Sequence, residues 1–191
     1  MKKNIILSGV GGQGILSIAT VIGEAATVAG LHLKQAEVHG MSQRGGDVQS
    51  NLRLSTEEIQ SDLIQKGKAD IIISMEPMEA LRYAEYLTKD GWIVTSSEPF
   101  VNIPNYPDMD KLQKELDSLP HVKKLGIEAL AKEHQMPKSA NMILLGLAAS
   151  EIGILSAEQL KKAITVVFKN KGEAVVESNL KAFDLGLKAG K

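Results

Sequence analysis

Residues 4–14 read "NIILSGVGGQG". A short apolar run ends in glycine, and a G-x-G-x-x-G spacing follows at Gly9, Gly11 and Gly14. Residues 12–30 are then small and apolar, and Gly30 stands where a helix C-cap is expected. Strand, tight turn and helix in that order require a sheet for the helix to cover. Few folds other than a layered α/β domain satisfy that requirement.

The rest of the chain repeats the alternation. Residues 31–38 read as a second strand. Residues 47–55 alternate Val48, Ser50, Leu52 and Leu54 against polar neighbours, so one face is buried. "ADIIISMEP" at 69–77 is a continuous β-branched run, as in the middle of a parallel sheet. Pro77 suits a first helical position, and residues 78–87 continue as a helix. Residues 91–97 form another strand. Residues 98–108 hold three prolines and read as an irregular crossing. Helices are expected at 109–119 and 127–135, with a strand at 121–125 between them.

From about 139 to 191 the pattern is helical. Residues 141–153 are apolar all round, which implies a buried helix. Ser156 and Gln159 form a capping box. Leu160, Ala163, Ile164, Val167 and Phe168 then make one apolar face. The expected fold is a three-layer, Rossmann-like α/β sheet, mostly parallel, with a helical C-terminal third. The 191 residues are expected to form a single domain.

A glycine turn opening a helix suits an anion, because free N–H groups and the positive end of the helix dipole meet there. The spacing also fits a dinucleotide fingerprint. For that reading the ribose needs an acidic residue at the end of the second strand, and Glu37 is the nearest candidate, 23 residues beyond Gly14. Gln13, inside the turn with Gly12, is a large polar side chain able to project into a site. Alternatively, the glycines only let the helix pack on the sheet.

Two further polar clusters fall at strand ends, where open α/β sheets carry function. One is "HGMSQRGG" at 39–46, and the other is "MEP" at 75–77. Arg44 can make bidentate contacts with a carboxylate or phosphate, either on a substrate or across a subunit interface. Gly40, Gly45 and Gly46 allow close backbone approach. His39 can exchange a proton near pH 7, and Ser42 and Gln43 offer neutral hydrogen bonds. Glu76 is placed to pair with Arg44 or His39, and a salt bridge of that kind would equally serve only to order the loop.

Composition removes several classes. The chain has no cysteine, so disulfides, a cysteine nucleophile and thiolate-held zinc or iron–sulfur clusters are excluded on it. No metal site is expected. The net charge is −1 without a basic stripe, which argues against nucleic acid. The first apolar run stops at Ser8, too early for a secretory signal, and no window is apolar enough for a membrane span. A cytoplasmic location is the expectation.

Taken in order, the glycine turn, "HGMSQRGG", "MEP" and Asn141 at the start of the late apolar helix resemble a known family. This is the gamma-type subunit or domain of the 2-oxoacid:ferredoxin oxidoreductases, and the likeness runs along essentially the whole chain. Within the family it is most similar to the small subunit of the indolepyruvate type. The resemblance implies a subunit that bears no cofactor and is inactive alone. Thiamine diphosphate, magnesium and [4Fe-4S] clusters would lie on a large partner, with coenzyme A as co-substrate and ferredoxin as acceptor. The implied reaction is oxidative decarboxylation of indolepyruvate or another aryl pyruvate to an acyl-CoA. Two other classes stay open: a stand-alone nucleotide-binding oxidoreductase, and a module that binds a 2-oxoacid or a CoA ester.

Overall fold

The computed structural model describes residues 1–39 and 45–191, without the side chain of His39. In chain order the elements are β1 (Lys2–Val10), α1 (Ile15–Val28), β2 (His32–His39), β3 (Asp47–Ser55), β4 (Ala69–Ser74), α2 (Pro77–Arg82), β5 (Leu87–Ser96), α3 (Met109–Ser118), β6 (Val122–Leu125), α4 (Ile127–Glu133), α5 (Ala140–Ile152), α6 (Ala157–Phe168) and α7 (Glu173–Ala189). The six-stranded sheet runs β2-β3-β1-β4-β5-β6. β3 is antiparallel to both its neighbours, and the other pairings are parallel.

The expected three layers follow from strand periodicity. In β1, Ile5 and Leu7 face one core and Ile6 the other; Ile71 and Ile73 oppose Ile72 in β4, and Val94 opposes Ile93 in β5. The larger core takes the apolar faces of α1 and of α4 to α7. The smaller takes Ala80 of α2, and Leu112 and Leu116 of α3. Among the described residues, no helix is long and apolar enough to cross a membrane.

One local outcome was left open by the sequence and a second differs from its reading. β2 and β3 form an antiparallel hairpin, and β3 rather than β2 lies beside β1. Alternating apolar positions mark a half-buried strand but do not give its direction. Residues 78–87 do not form one helix: α2 ends at Arg82, a short 3₁₀ turn covers Ala84–Tyr86, and β5 starts at Leu87. Ala69 pairs with Leu87 but Ile71 with Trp92, so β5 carries an irregularity that absorbs the extra residues. A side chain at Gly91 in this bend would press on the Ala69 carbonyl and the Leu87 side chain.

The helix ends behave as their residues dictate. Gly30 is left-handed (φ +71°) and closes α1 with Leu31 N–H on Ala26 O and Gly30 N–H on Thr27 O. Ser156 and Gln159 complete the capping box of α6. α5 is buried along nearly its whole length, as its all-round apolarity requires.

α5 crosses α7 with the two backbones in contact. A Cβ at Gly146 would collide with the Phe183 carbonyl, and one at Gly186 with the Ile143 carbonyl. Backbone cannot move aside as a flexible side chain can, so even one methyl group forces the helices apart. Gly186→Ala is expected to lower stability by about 3 kcal/mol or more, at the upper end for overpacking. Gly30→Ala should cost only about 1 kcal/mol, through its positive φ. Urea unfolding of both variants checks the order.

Candidate functional site

The carboxyl ends of β1, β2 and β4 and the start of β3 share one edge of the sheet: Val10 faces Asp47, and His39 faces Val48. The glycine turn leaves β1 there. Gly12 (φ +103°) and Gly14 (φ +83°) are both left-handed, which glycine alone adopts freely. Gly14 is also the N-cap of α1, and a Cβ on it would sit 2.6 Å from Asn141 Nδ2. Asn141, in the first turn of α5, donates that Nδ2 to Gly14 O at 3.1 Å. Gly9 is similarly confined, between Gln13 and Ile15.

Gln13 folds back on the turn. Its Oε1 accepts the Val10 N–H at 2.7 Å, and its Nε2 donates to Met75 O at 3.4 Å. The side chain thus ties the ends of β1 and β4 together. Gly11 N–H donates to Gly46 O at 2.8 Å, and Gly45 N–H approaches Gly11 O at 3.4 Å. The N–H of the second glycine, where a dinucleotide pyrophosphate would approach, is therefore already used. Glu37 lies on β2, one strand removed from β1. Both facts weaken the dinucleotide reading.

The structure brings Gly9, Gly11, Gly12, Gln13, Gly14, Gly45, Gly46 and Asn141 together at this edge. His39 ends β2, while its side chain and residues Gly40, Ser42, Gln43 and Arg44 lie outside the described residues. Any pairing of Glu76 with Arg44 or His39 falls there too.

Glu76 is fully buried at the end of β4. It is the N-cap of α2, with Oε2 accepting the Glu79 N–H at 2.9 Å. Its Oε1 accepts the Phe100 N–H at 3.3 Å and the Tyr106 hydroxyl. The next buried carboxylate, Glu79, binds Arg82 in bidentate fashion. Asn102, between Phe100 and Tyr106, donates Nδ2 to Gly45 O at 2.7 Å, while its buried Oδ1 takes no hydrogen bond among the described residues. Sequence reasoning passed over Asn102 and Tyr106. The only available signal was polar side chains within a proline-rich crossing.

A cavity of about 860 Å³ opens beside the turn, with Gly12, Ser17, Lys138, Asn141, Lys171 and Glu128 in its wall. α1 enters it with no side-chain cap and no acidic residue in its first turn. A helix N-terminus with two ammonium groups nearby suits an anionic ligand. Glu128 is the opposing charge; burial first, and then Glu98, push its carboxyl above the ordinary range. Among the described residues there is no group of three or more His, Asp or Glu able to hold a metal ion.

Comparison with known proteins gives a consistent picture. The family model described as pyruvate ferredoxin/flavodoxin oxidoreductase matches residues 4–189. The chain is 39% identical to an indolepyruvate oxidoreductase subunit IorB from Thermococcus kodakarensis, over all of this chain and 98% of the relative. It superposes on the gamma subunit of a keto/oxoacid ferredoxin oxidoreductase from Geobacter sulfurreducens with a TM-score of 0.71 and 26% identity, covering 98% of both chains. It also matches a 2-oxoglutarate:ferredoxin oxidoreductase from Magnetococcus marinus, with a TM-score of 0.76 and 25% identity. There it covers 99% of this chain but 31% of the other.

Tyr106 gives this edge a pH signature. Burial, followed by the hydrogen bond to Glu76 and its charge, raises the hydroxyl far above the ordinary tyrosine range. The folded chain keeps a proton that the unfolded chain releases near pH 10. This contribution is therefore complete below about pH 10 and declines as the pH rises further. Tyr106→Phe is expected to cost about 2 kcal/mol at neutral pH, the worth of a hydrogen bond to a charged group. It should also flatten the alkaline loss of stability in urea unfolding. Tyr83, pushed up to about 12 by burial and then by Glu79, leaves a residual slope.

Proposed function

The chain belongs to the pyruvate ferredoxin/flavodoxin oxidoreductase family, and from that premise we propose that it is the small subunit of a 2-oxoacid:ferredoxin oxidoreductase whose substrate is indolepyruvate or another aryl pyruvate. The observation that carries the reading is end-to-end similarity to an indolepyruvate oxidoreductase subunit of nearly the same length. In this reaction a 2-oxoacid and coenzyme A give an acyl-CoA and carbon dioxide, and two electrons leave one at a time to ferredoxin.

This chain does not fit the redox cofactors of such an enzyme. It has no cysteine to hold an iron–sulfur cluster. Nor do its described residues offer a carboxylate or imidazole cluster for the magnesium that accompanies thiamine diphosphate. Those groups belong, in this reading, to a larger partner chain.

What remains for this subunit is binding and orientation. The strand-end edge presents the glycine turn, Gly45, Gly46 and the cavity at the start of α1 toward the partner's site. An ammonium-lined cavity at a helix N-terminus supports retention of an anionic group of substrate or co-substrate. Arg44, directly before the fixed Gly45–Gly46 pair, supplies a guanidinium suited to a carboxylate or phosphate.

The test is reconstitution. With the purified large subunit, thiamine diphosphate, coenzyme A and indolepyruvate, this chain is expected to restore ferredoxin reduction. Full activity of the large subunit alone would remove the role. Arg44→Ala is expected to lower kcat/KM at least tenfold, as for a charge-assisted contact of about 1.4 kcal/mol or more. Circular dichroism of the isolated variant should be unchanged.

A further inference from the structure

The buried stripe of α7 consists of Asn179, Ala182, Phe183 and Gly186. Three of these suit a packed face, but Asn179 is an amide and only 4% exposed. Asparagine is a poor residue for a helix interior, and on a packed stripe it displaces apolar contact. Its own hydrogen bonding does not account for it. Nδ2 donates at 2.8 Å to Val175 O, one turn back on the same helix, a carbonyl that the helix already engages. No donor of the described residues reaches its Oδ1. Among those residues only Asn102 has a side-chain oxygen that is both partnerless and closed off entirely. The Asn179 oxygen therefore opens on the cavity beside the glycine turn, whose wall Asn179 helps to form. Alanine or leucine at this position would serve the packing of α7 at least as well.

The same wall contains Lys138, Lys171 and the uncapped start of α1, which suit an anionic group, and Phe168 and Val175, which are apolar. A concave site of this composition holds its ligand through a small number of placed polar groups. A buried amide oxygen with no donor inside the protein requires one from outside it. We infer that Asn179 is a ligand-contact residue, whose Oδ1 receives an N–H or O–H of an anionic ligand held in this cavity. The inference deepens the subunit reading above and rests on it. Both substrates of that reaction have the required chemistry. Indolepyruvate joins a carboxylate to an indole N–H, and coenzyme A joins phosphates to amide N–H groups.

The experiment measures ferredoxin reduction by the reconstituted enzyme, with indolepyruvate, phenylpyruvate and coenzyme A each varied in turn. Asn179→Ala and Asn179→Leu both remove the oxygen, and both suit a helix interior better than asparagine. The Tm of the isolated variants is therefore expected to stay within a few degrees of wild type or to rise. In both variants KM for one substrate is expected to rise at least about fivefold while kcat stays within about twofold, as for a hydrogen bond made equally in ground and transition states. If the donor is the indole N–H, the rise is in KM for indolepyruvate. The preference over phenylpyruvate, which lacks that N–H, then shrinks by the same factor. If the donor belongs to coenzyme A, the rise is in its KM and the preference is unchanged. Wild-type KM for indolepyruvate and coenzyme A in both variants, whatever their Tm, overturns the inference and leaves the subunit reading standing. An inactive wild-type mixture overturns the subunit reading and this contact with it.

Discussion

A carboxylate with no access to water must take its hydrogen bonds from protein, and Glu76 takes them from three places. It receives one from α2, which it caps, and two from the proline-rich segment beyond β5. Burying an unpaired carboxylate would cost several kcal/mol, so these contacts are obligatory. They turn a crossing without secondary structure into a fixed wall of the strand-end edge. Asn102 extends the wall to Gly45, and Gly45 and Gly46 extend it to Gly11. The geometry of the strand-end edge is thus referred back to one buried acid at the end of the central strand.

The glycine turn is better understood within that frame than by its spacing. In a dinucleotide fold the same spacing clears a path for a pyrophosphate. Here the N–H of the second glycine is already bonded to backbone, and Gln13 closes the ends of β1 and β4. Gly14 is required because Asn141 presses against it. What stays open is the N-terminus of α1 facing a cavity with lysines in its wall. The turn therefore serves first as a junction between the ends of β1 and β4, the Gly45–Gly46 pair and α5.

This arrangement suits a chain that orients rather than transforms. A chain without cysteine cannot carry electrons through iron–sulfur clusters, yet its family performs that redox chemistry. In the subunit reading proposed above, a rigid edge is what this chain contributes, because catalytic constellations tolerate misplacement of only a fraction of an ångström. The backbone contact of α5 with α7 gives the edge a stiff support from behind, since Asn141 stands in the first turn of α5.

Much of this was legible in the residues. The apolar period of the strands specified two cores, and the glycine turn and Gly30 marked the ends of α1. The all-round apolarity of residues 141–153 specified a buried helix, and the ordered motifs identified the family. Those signals are local, or they are patterns that survive in one dimension. The direction of β3 was not legible, because side chains alternate alike in parallel and antiparallel strands. Nor was the true work of Glu76, two of whose three partners stand 24 and 30 residues downstream, or of Asn141, 127 residues from Gly14. Sequence alone determined which segments must be buried and where the chain must turn. Only the tertiary structure decided which polar groups satisfy one another, because a buried donor or acceptor is answered by whatever the fold brings within about 3 Å, wherever it lies along the chain.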